Sequence, residues 1–437
     1  MNHLYALKAK EIWAYMKTQD VTFWLINIYL FLEYVRPQTL YPVIDVLPYS
    51  QIIIVLTLCL FLLRGAFDLV GNPLNKLVLL YSLVVILSSL FAISPDESFK
   101  SISIFMSWVL IYFLIINIVN TEERFLIFIL GFFLYSFKMS QFSFLNWVAS
   151  GFSFIQIGSG GGPGLFKNSG EFGIQMVIFL SLSASCFVAL KGYWSPVKKV
   201  FFFLFPLTAL TGTISSSSRG ALLGVGGVLL SLLLKSRHKF KGLVSVGMVV
   251  LLVFAFLPDR QMARFQAAGT DDDSIRRLVL WEQGFDLTDR YPVLGVGYHN
   301  WLVALEKFYP DANQQVCHNV FIECASELGY TGLMVFLLMI VFTFVNNAQT
   351  RRLAYQSSIK NRFLYYMAHG LDSALVGYLV SGFFVTVLYY PFFWINLAMT
   401  VSLREVAKKW SVSLANNIIT NDCSTATSAM LHMNQTS

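Results

Sequence analysis

The chain has 437 residues, of which 56% are hydrophobic and 13% charged, with a net charge of +7 and a mean hydropathy of +0.63. Ordinary soluble domains carry about 25% charged residues, so too little polar surface is present to cover a water-soluble fold of this size. Disorder is excluded by the same hydrophobicity, and the positive charge is read against a membrane rather than a nucleic acid.

Residues 1–20 are amphipathic and lack an apolar stretch followed by a small-residue cleavage site, so no cleavable signal peptide is expected. Twelve apolar segments follow, at about 20–35, 50–63, 76–93, 101–119, 124–149, 172–190, 199–215, 220–234, 241–257, 329–346, 364–386 and 388–403. A transmembrane helix needs about 20 apolar residues, so the second, eighth and twelfth are short. Only Pro391 separates the last two, which leaves eleven or thirteen spans open. Placing residues 1–19 in the cytoplasm puts twenty of the 31 lysines and arginines on the inner side. Spans one to nine then occupy 20–257, an external, periplasmic loop 258–328, and spans ten to twelve 329–403. Six of the other basic residues lie in that loop. Residues 404–437 form a cytoplasmic tail, Ser/Thr/Asn-rich and expected to be disordered beyond about 410. The expected fold is thus an all-α polytopic membrane protein with about twelve spans and one large helical periplasmic loop. No repeat of fixed period is visible.

Four polar constellations fall on the external side. At the junction of spans seven and eight, Ser215–Ser218 precede Arg219, Gly220 and Ala221. A fixed guanidinium with hydroxyl donors suits a phosphate, although a polar turn with a snorkelling Arg has the same composition. In the long loop, Asp271-Asp272-Asp273-Ser274 precedes an amphipathic helix with Asp273 or Ser274 as its N-cap. Arg277 and Trp281 share a face of that helix. The Asp run reads either as a metal-binding DxD or as acidic residues favoured by the helix dipole. Gly295-x-Gly297 follows as a turn, without the strand–turn–helix setting of a nucleotide loop. Third come His318 and Asn319, then Glu323 and Glu327-Leu328-Gly329. Asn319 suits the cap of the next helix, and His318 either takes a proton or plays a structural part. Fourth is the glycine-rich run from Gly158 to Gly173, which is no Walker A loop. Lys138 and Asp372 lie within expected spans and either line a lumen or mark a misdrawn boundary. The five cysteines form no CxxC; Cys317 and Cys324 are either a disulfide or two free thiols at i, i+7.

Five motifs occur in a particular order: Gly164-x-Phe166-x-Asn168, Ser216-x-Ser218-Arg219-Gly220-Ala221, Arg277-x-x-x-Trp281, Pro292-x-Leu294-Gly295-x-Gly297, and His318-Asn319 with Glu327-Leu328-Gly329. Together they resemble the O-antigen ligase and O-antigen polymerase superfamily of bacterial inner-membrane glycosyltransferases, over roughly residues 160–345. The resemblance implies a GT-C-like fold. It also implies transfer of a glycan from undecaprenyl diphosphate to an acceptor on the periplasmic face, with inversion and with no metal or cofactor. By the same resemblance, Arg219 and Arg277 hold the diphosphate and His318 accepts the proton of the attacking hydroxyl. Ser218, Arg276, Trp281 and Asn319 contact substrate, and Arg260, Arg264 or Arg290 play lesser parts. Tyr34-Val35-Arg36-Pro37-Gln38 resembles ligase relatives in polysaccharide-export clusters, and within the superfamily the preferred reading is an O-antigen ligase with lipid A–core as acceptor. Repeat-unit polymerisation and protein O-glycosylation share the motifs. A flippase is the reading from another class, but it would spread charge through many spans instead of one asymmetric loop.

Overall fold

The structure is a computed structural model describing residues 4–65, 70–152, 160–161, 166–235, 239–256, 262–263, 266–267, 269–311, 314–355 and 360–433. Among these residues every regular element is a helix. In chain order, α1 is Ala9–Lys17, α2 Val21–Tyr34, α3 Tyr49–Leu63, α4 Pro73–Leu90, α5 Pro95–Ile118 and α6 Glu122–Ala149. They are followed by α7 Ser169–Leu190, α8 Pro196–Ser215, α9 Arg219–Lys235, α10 Lys239–Phe256, α11 Asp272–Arg290 and α12 Trp301–Phe308. Last are α13 Val320–Tyr355, α14 Arg362–Gly382 and α15 Pro391–Met433. A helix lies over each of the twelve apolar segments. Among the described residues, six helices, α4 to α8 and α13, are long and apolar enough to cross a membrane.

The helix starts follow from local chemistry. Asp20, Asn72, Thr121 and Asn361 each accept a hydrogen bond from a first-turn N–H of α2, α4, α6 and α14. Proline opens α4, α5 and α8, where its missing N–H costs nothing.

The bundle has two distinct ends. At one, Asp20 pairs with Arg64 at 2.9 Å and Arg124 at 2.6 Å, and Asn361 donates to Glu122 at 3.1 Å. Asp372, almost wholly buried on α14, is held there by Lys235 at 3.2 Å, Arg351 at 2.5 Å and Asn347 at 2.9 Å. It therefore bridges three helices in an ion cluster, whereas Lys138 is exposed. At the other end the long loop folds down onto the bundle. Ile93 N–H donates to Val296 O at 2.9 Å, and Asn300 takes Ser94 N–H at 2.7 Å. Small residues let α14 sit in the centre. A Cβ on Gly224 of α9 would lie 3.0 Å from the Gly377 carbonyl, and one on Gly377 2.5 Å from Val177 of α7.

Three differences from expectation have local causes. The tail beyond residue 410, expected to be disordered, continues as helix to Met433, because no Gly or Pro after Pro391 interrupts α15. The eleventh segment ends at Gly382 instead of 386, which frees residues 383–390 as a loop. The tenth begins earlier, at Val320, and bends sharply at Gly329, whose φ is +69° and ψ −177°. At that bend a Cβ would lie 2.5 Å from the Val293 carbonyl, and one on Gly295 2.3 Å from the Glu327 carbonyl carbon. Backbone thus packs directly on backbone. Val296 N–H donates to Ser326 O at 2.8 Å, Gly297 N–H to Glu327 O at 3.1 Å, and Tyr330 N–H to Pro292 O at 2.8 Å. Gly295-x-Gly297 is accordingly a clamp on the α13 bend. Cys317 and Cys324 are buried free thiols, not a disulfide.

Candidate functional site

The loops following α6, α8 and α14 meet the long loop at one end of the bundle and enclose a cavity of about 290 Å³. Its wall includes Asn168 and Glu171 at the start of α7, Ser218 and Arg219 at the start of α9, Arg277 of α11, His318, and Thr386 after α14.

Each side chain reaches the cavity for an identifiable reason. Ser217 takes a left-handed φ of +59°, turning the chain between α8 and α9. Ser218 Oγ then accepts from Ala221 N–H at 3.3 Å, and Arg219 becomes the first residue of α9. The turn is packed tightly against α7, since a Cβ on Gly173 would lie 2.6 Å from Ala221 Cβ and 2.9 Å from Ser216 Oγ. Arg219, with its side chain 11% exposed, pairs with Asp271 at 2.8 Å. Asp271, not the expected Asp273 or Ser274, is also the N-cap of α11 and accepts from Ser274 N–H at 3.1 Å. Its bonds from Ser274, together with Arg219, hold its carboxyl below the usual range. One aspartate thus ties the two elements that carry Arg219 and Arg277.

The adjacent arginines part company. Arg277 lines the cavity, while Arg276 pairs with Asp273 on the same helix and is nearly half exposed. Neighbours on a helix point about 100° apart, so only one of the two faces inward. Asp271 and Asp273, two members of the possible DxD, each carry an arginine partner.

Trp281 does not line the cavity. Its Nε1 donates to the Cys317 carbonyl at 3.1 Å, and its ring meets Phe383 edge-on at 5.2 Å. It therefore fixes the peptide next to His318 and couples that segment to α11. His318 has a left-handed φ of +54°, and its N–H donates to Thr386 Oγ1 at 2.8 Å. Such a conformation costs about 1 kcal/mol or more and persists where surrounding contacts enforce it. Asn319 is fully buried and caps the first segment of α13, accepting from Phe321 N–H at 2.9 Å and Ile322 N–H at 3.2 Å. Glu327 anchors the clamp, accepting from His299 N–H at 3.0 Å, Trp301 N–H at 3.1 Å and the Tyr389 hydroxyl at 2.9 Å. Burial, then the nearby positive charge of Arg277, pushes the His318 imidazole down to about 4. It is a neutral ring at neutral pH.

Of the expected site residues, Arg219, Ser218, Arg277 and His318 share the cavity, whereas Arg276, Trp281 and Asn319 are engaged elsewhere. Arg290 pairs with Asp286 at 2.8 Å, while Arg260, Arg264 and Gly164 lie outside the described residues. Thr386 was concealed by the apolar run around it. Glu171 stood within the glycine-rich motif without a role.

Residues 202–337, from within α8 to the middle of α13, match the O-antigen ligase family. This segment contains Arg219, Arg277 and His318, while Glu171 and Thr386 lie outside it. The family association supports glycan transfer of the ligase or polymerase type by a multi-pass membrane protein. No curated protein matches the chain significantly.

Proposed function

We propose that the protein is an O-antigen ligase-type glycosyltransferase that moves a glycan from undecaprenyl diphosphate to an acceptor, lipid A–core, at the periplasmic face of the bacterial inner membrane. The observation carrying this reading is the convergence of Arg219, Arg277 and His318, from three separate elements, on one cavity. The first turns of α7 and α9 border the same space, adding the positive ends of two helices to the two guanidiniums. That arrangement suits a diphosphate, whose departure needs charge neutralisation in a partly dry site.

In this mechanism the acceptor hydroxyl attacks the anomeric carbon as its bond to the diphosphate oxygen breaks. The proton passes to the neutral His318 ring, the leaving charge rests on Arg219 and Arg277, and the anomeric centre inverts. Donor binding sets phosphate charge against Arg277, relieves its repulsion of an imidazolium, and strengthens His318 as a base when the reaction requires it. The Arg219–Asp271 pair opens or is shared when the donor enters. Polymerisation and protein glycosylation would use the same chemistry with another acceptor.

The test is transfer by the purified protein in nanodiscs. Arg219→Ala, Arg277→Ala and His318→Ala are each expected to lose about 100-fold or more in rate while reaching normal membrane levels. Full activity in all three would refute the site. Wild-type transfer is expected to continue in excess chelator; loss restored by Mg²⁺ or Mn²⁺ would return attention to Asp271–Asp273.

A further inference from the structure

Among the described residues, Glu171 is the one carboxylate on the cavity wall, and it is 8% exposed. A diphosphate would be bound better without a negative charge beside it, so donor binding does not account for Glu171. At the third position of α7 the carboxylate also faces the positive end of the helix and accepts from its own backbone N–H, a local role that does not require it to line the cavity. Asn168 holds the N-cap position of α7 but makes no side-chain cap. Its amide instead donates to Glu171 Oε1 at 3.2 Å, so the residue that would ordinarily satisfy a helix N–H is steadying the carboxylate.

The neighbours of Glu171 are arranged to admit it. Gly170 presses against Val385, where a Cβ would lie 3.2 Å from the side chain, and Gly173 presses against the Ser216–Ala221 turn. Phe172 is fully buried. The first turn of α7 thus fits between two walls of the cavity and contributes a single charged group to it.

We infer that Glu171 binds the acceptor: its carboxylate takes hydrogen bonds from hydroxyl groups of a glycan acceptor and aims the attacking hydroxyl at the donor. Carboxylates are acceptor-only groups whose charged hydrogen bonds are strong, which suits a polyhydroxylated partner and not an anionic one. The inference rests on the glycan-transfer reading above. The arginines would hold the donor, His318 would take the proton, and Glu171 would position the nucleophile without receiving its proton.

The test uses the full chain in nanodiscs and whichever of lipid A–core or a lipid-free repeat-unit glycan supports wild-type transfer. Glu171→Gln is expected to raise the acceptor KM at least tenfold. Its Kd for undecaprenyl diphosphate alone should hold or fall, because a negative charge beside the diphosphate is lost, and donor hydrolysis without acceptor should not slow. Glu171→Asp should recover part of the loss. Asn168→Ala, which removes only the steadying amide, should raise the acceptor KM by a few-fold. An unchanged acceptor KM in Glu171→Gln would overturn the inference while leaving glycan transfer intact. So would parallel loss of donor binding and hydrolysis, which would mark a structural role. Absence of transfer by wild type to either acceptor would instead reject the glycan-transfer reading, and this inference with it.

Discussion

His318 offers the most direct measurement of the site's electrostatics. Its ring titrates at about 4, against an ordinary value of 6.5, because burial and then Arg277 disfavour the imidazolium. The gap corresponds to roughly 3 kcal/mol favouring the neutral ring in the fold. A depressed folded-state value means that this stabilisation is present above pH 6.5. It is lost progressively as pH falls from 6.5 towards 4, where the folded ring also takes up a proton. Replacing Arg277 with Gln removes the charge but leaves the burial, so the midpoint should rise yet remain below 6.5. Exchange of the imidazole C2 hydrogen, read by mass spectrometry on the peptide carrying His318, follows this ring separately from the chain's five other histidines. Undecaprenyl diphosphate should also raise the wild-type midpoint by placing negative charge against Arg277. The acid limb of kcat should correspondingly lie at higher pH than that of kcat/KM. A wild-type midpoint at 6.5, or one indifferent to Arg277→Gln, would refute the environment described for this side chain.

Two further perturbations concern the scaffold. Gly329→Ala forces a Cβ to within 2.5 Å of the Val293 carbonyl at a φ of +69°, so strain and displaced backbone should together cost about 3 kcal/mol. Thermal unfolding in detergent should show a lower Tm, and an unchanged Tm would remove the clamp from the account. Asp372→Ala leaves Lys235 and Arg351 facing each other without their shared carboxylate, and should cost about 3 kcal/mol. Asp372→Asn, which keeps a hydrogen-bonding oxygen, should fall between the variant and wild type in the same unfolding measurement; equal Tm values for all three would refute the bridging role.

Much of the fold was legible before any coordinates, because hydropathy is a local property. Each apolar segment of suitable length became a helix, and the Pro and Asx residues at their starts act within a few residues of themselves. Arg219, Arg277 and His318 stood out through the ordered motifs that resemble a known superfamily; their residue chemistry alone also fitted a polar turn and a structural histidine. The sequence was silent on direction. Arg276 and Arg277 are chemically identical neighbours, and packing of α11 alone turns one towards the cavity and the other towards Asp273. Trp281 and Asn319 had the chemistry of ligand contacts, yet the nearest partners the tertiary fold offers them are the Cys317 carbonyl and the first turn of α13. Gly295 and Gly297 read only as a turn; Gly295 packs on the Glu327 backbone and Gly297 N–H bonds to its carbonyl. Thr386 and Glu171 join the cavity only because α14 stops at Gly382 and α7 starts between two walls. Composition and periodicity decide which segments are helical, since those depend on near neighbours. Which side chains share a cavity depends on contacts between residues from tens to more than two hundred positions apart, and only the packed bundle sets those.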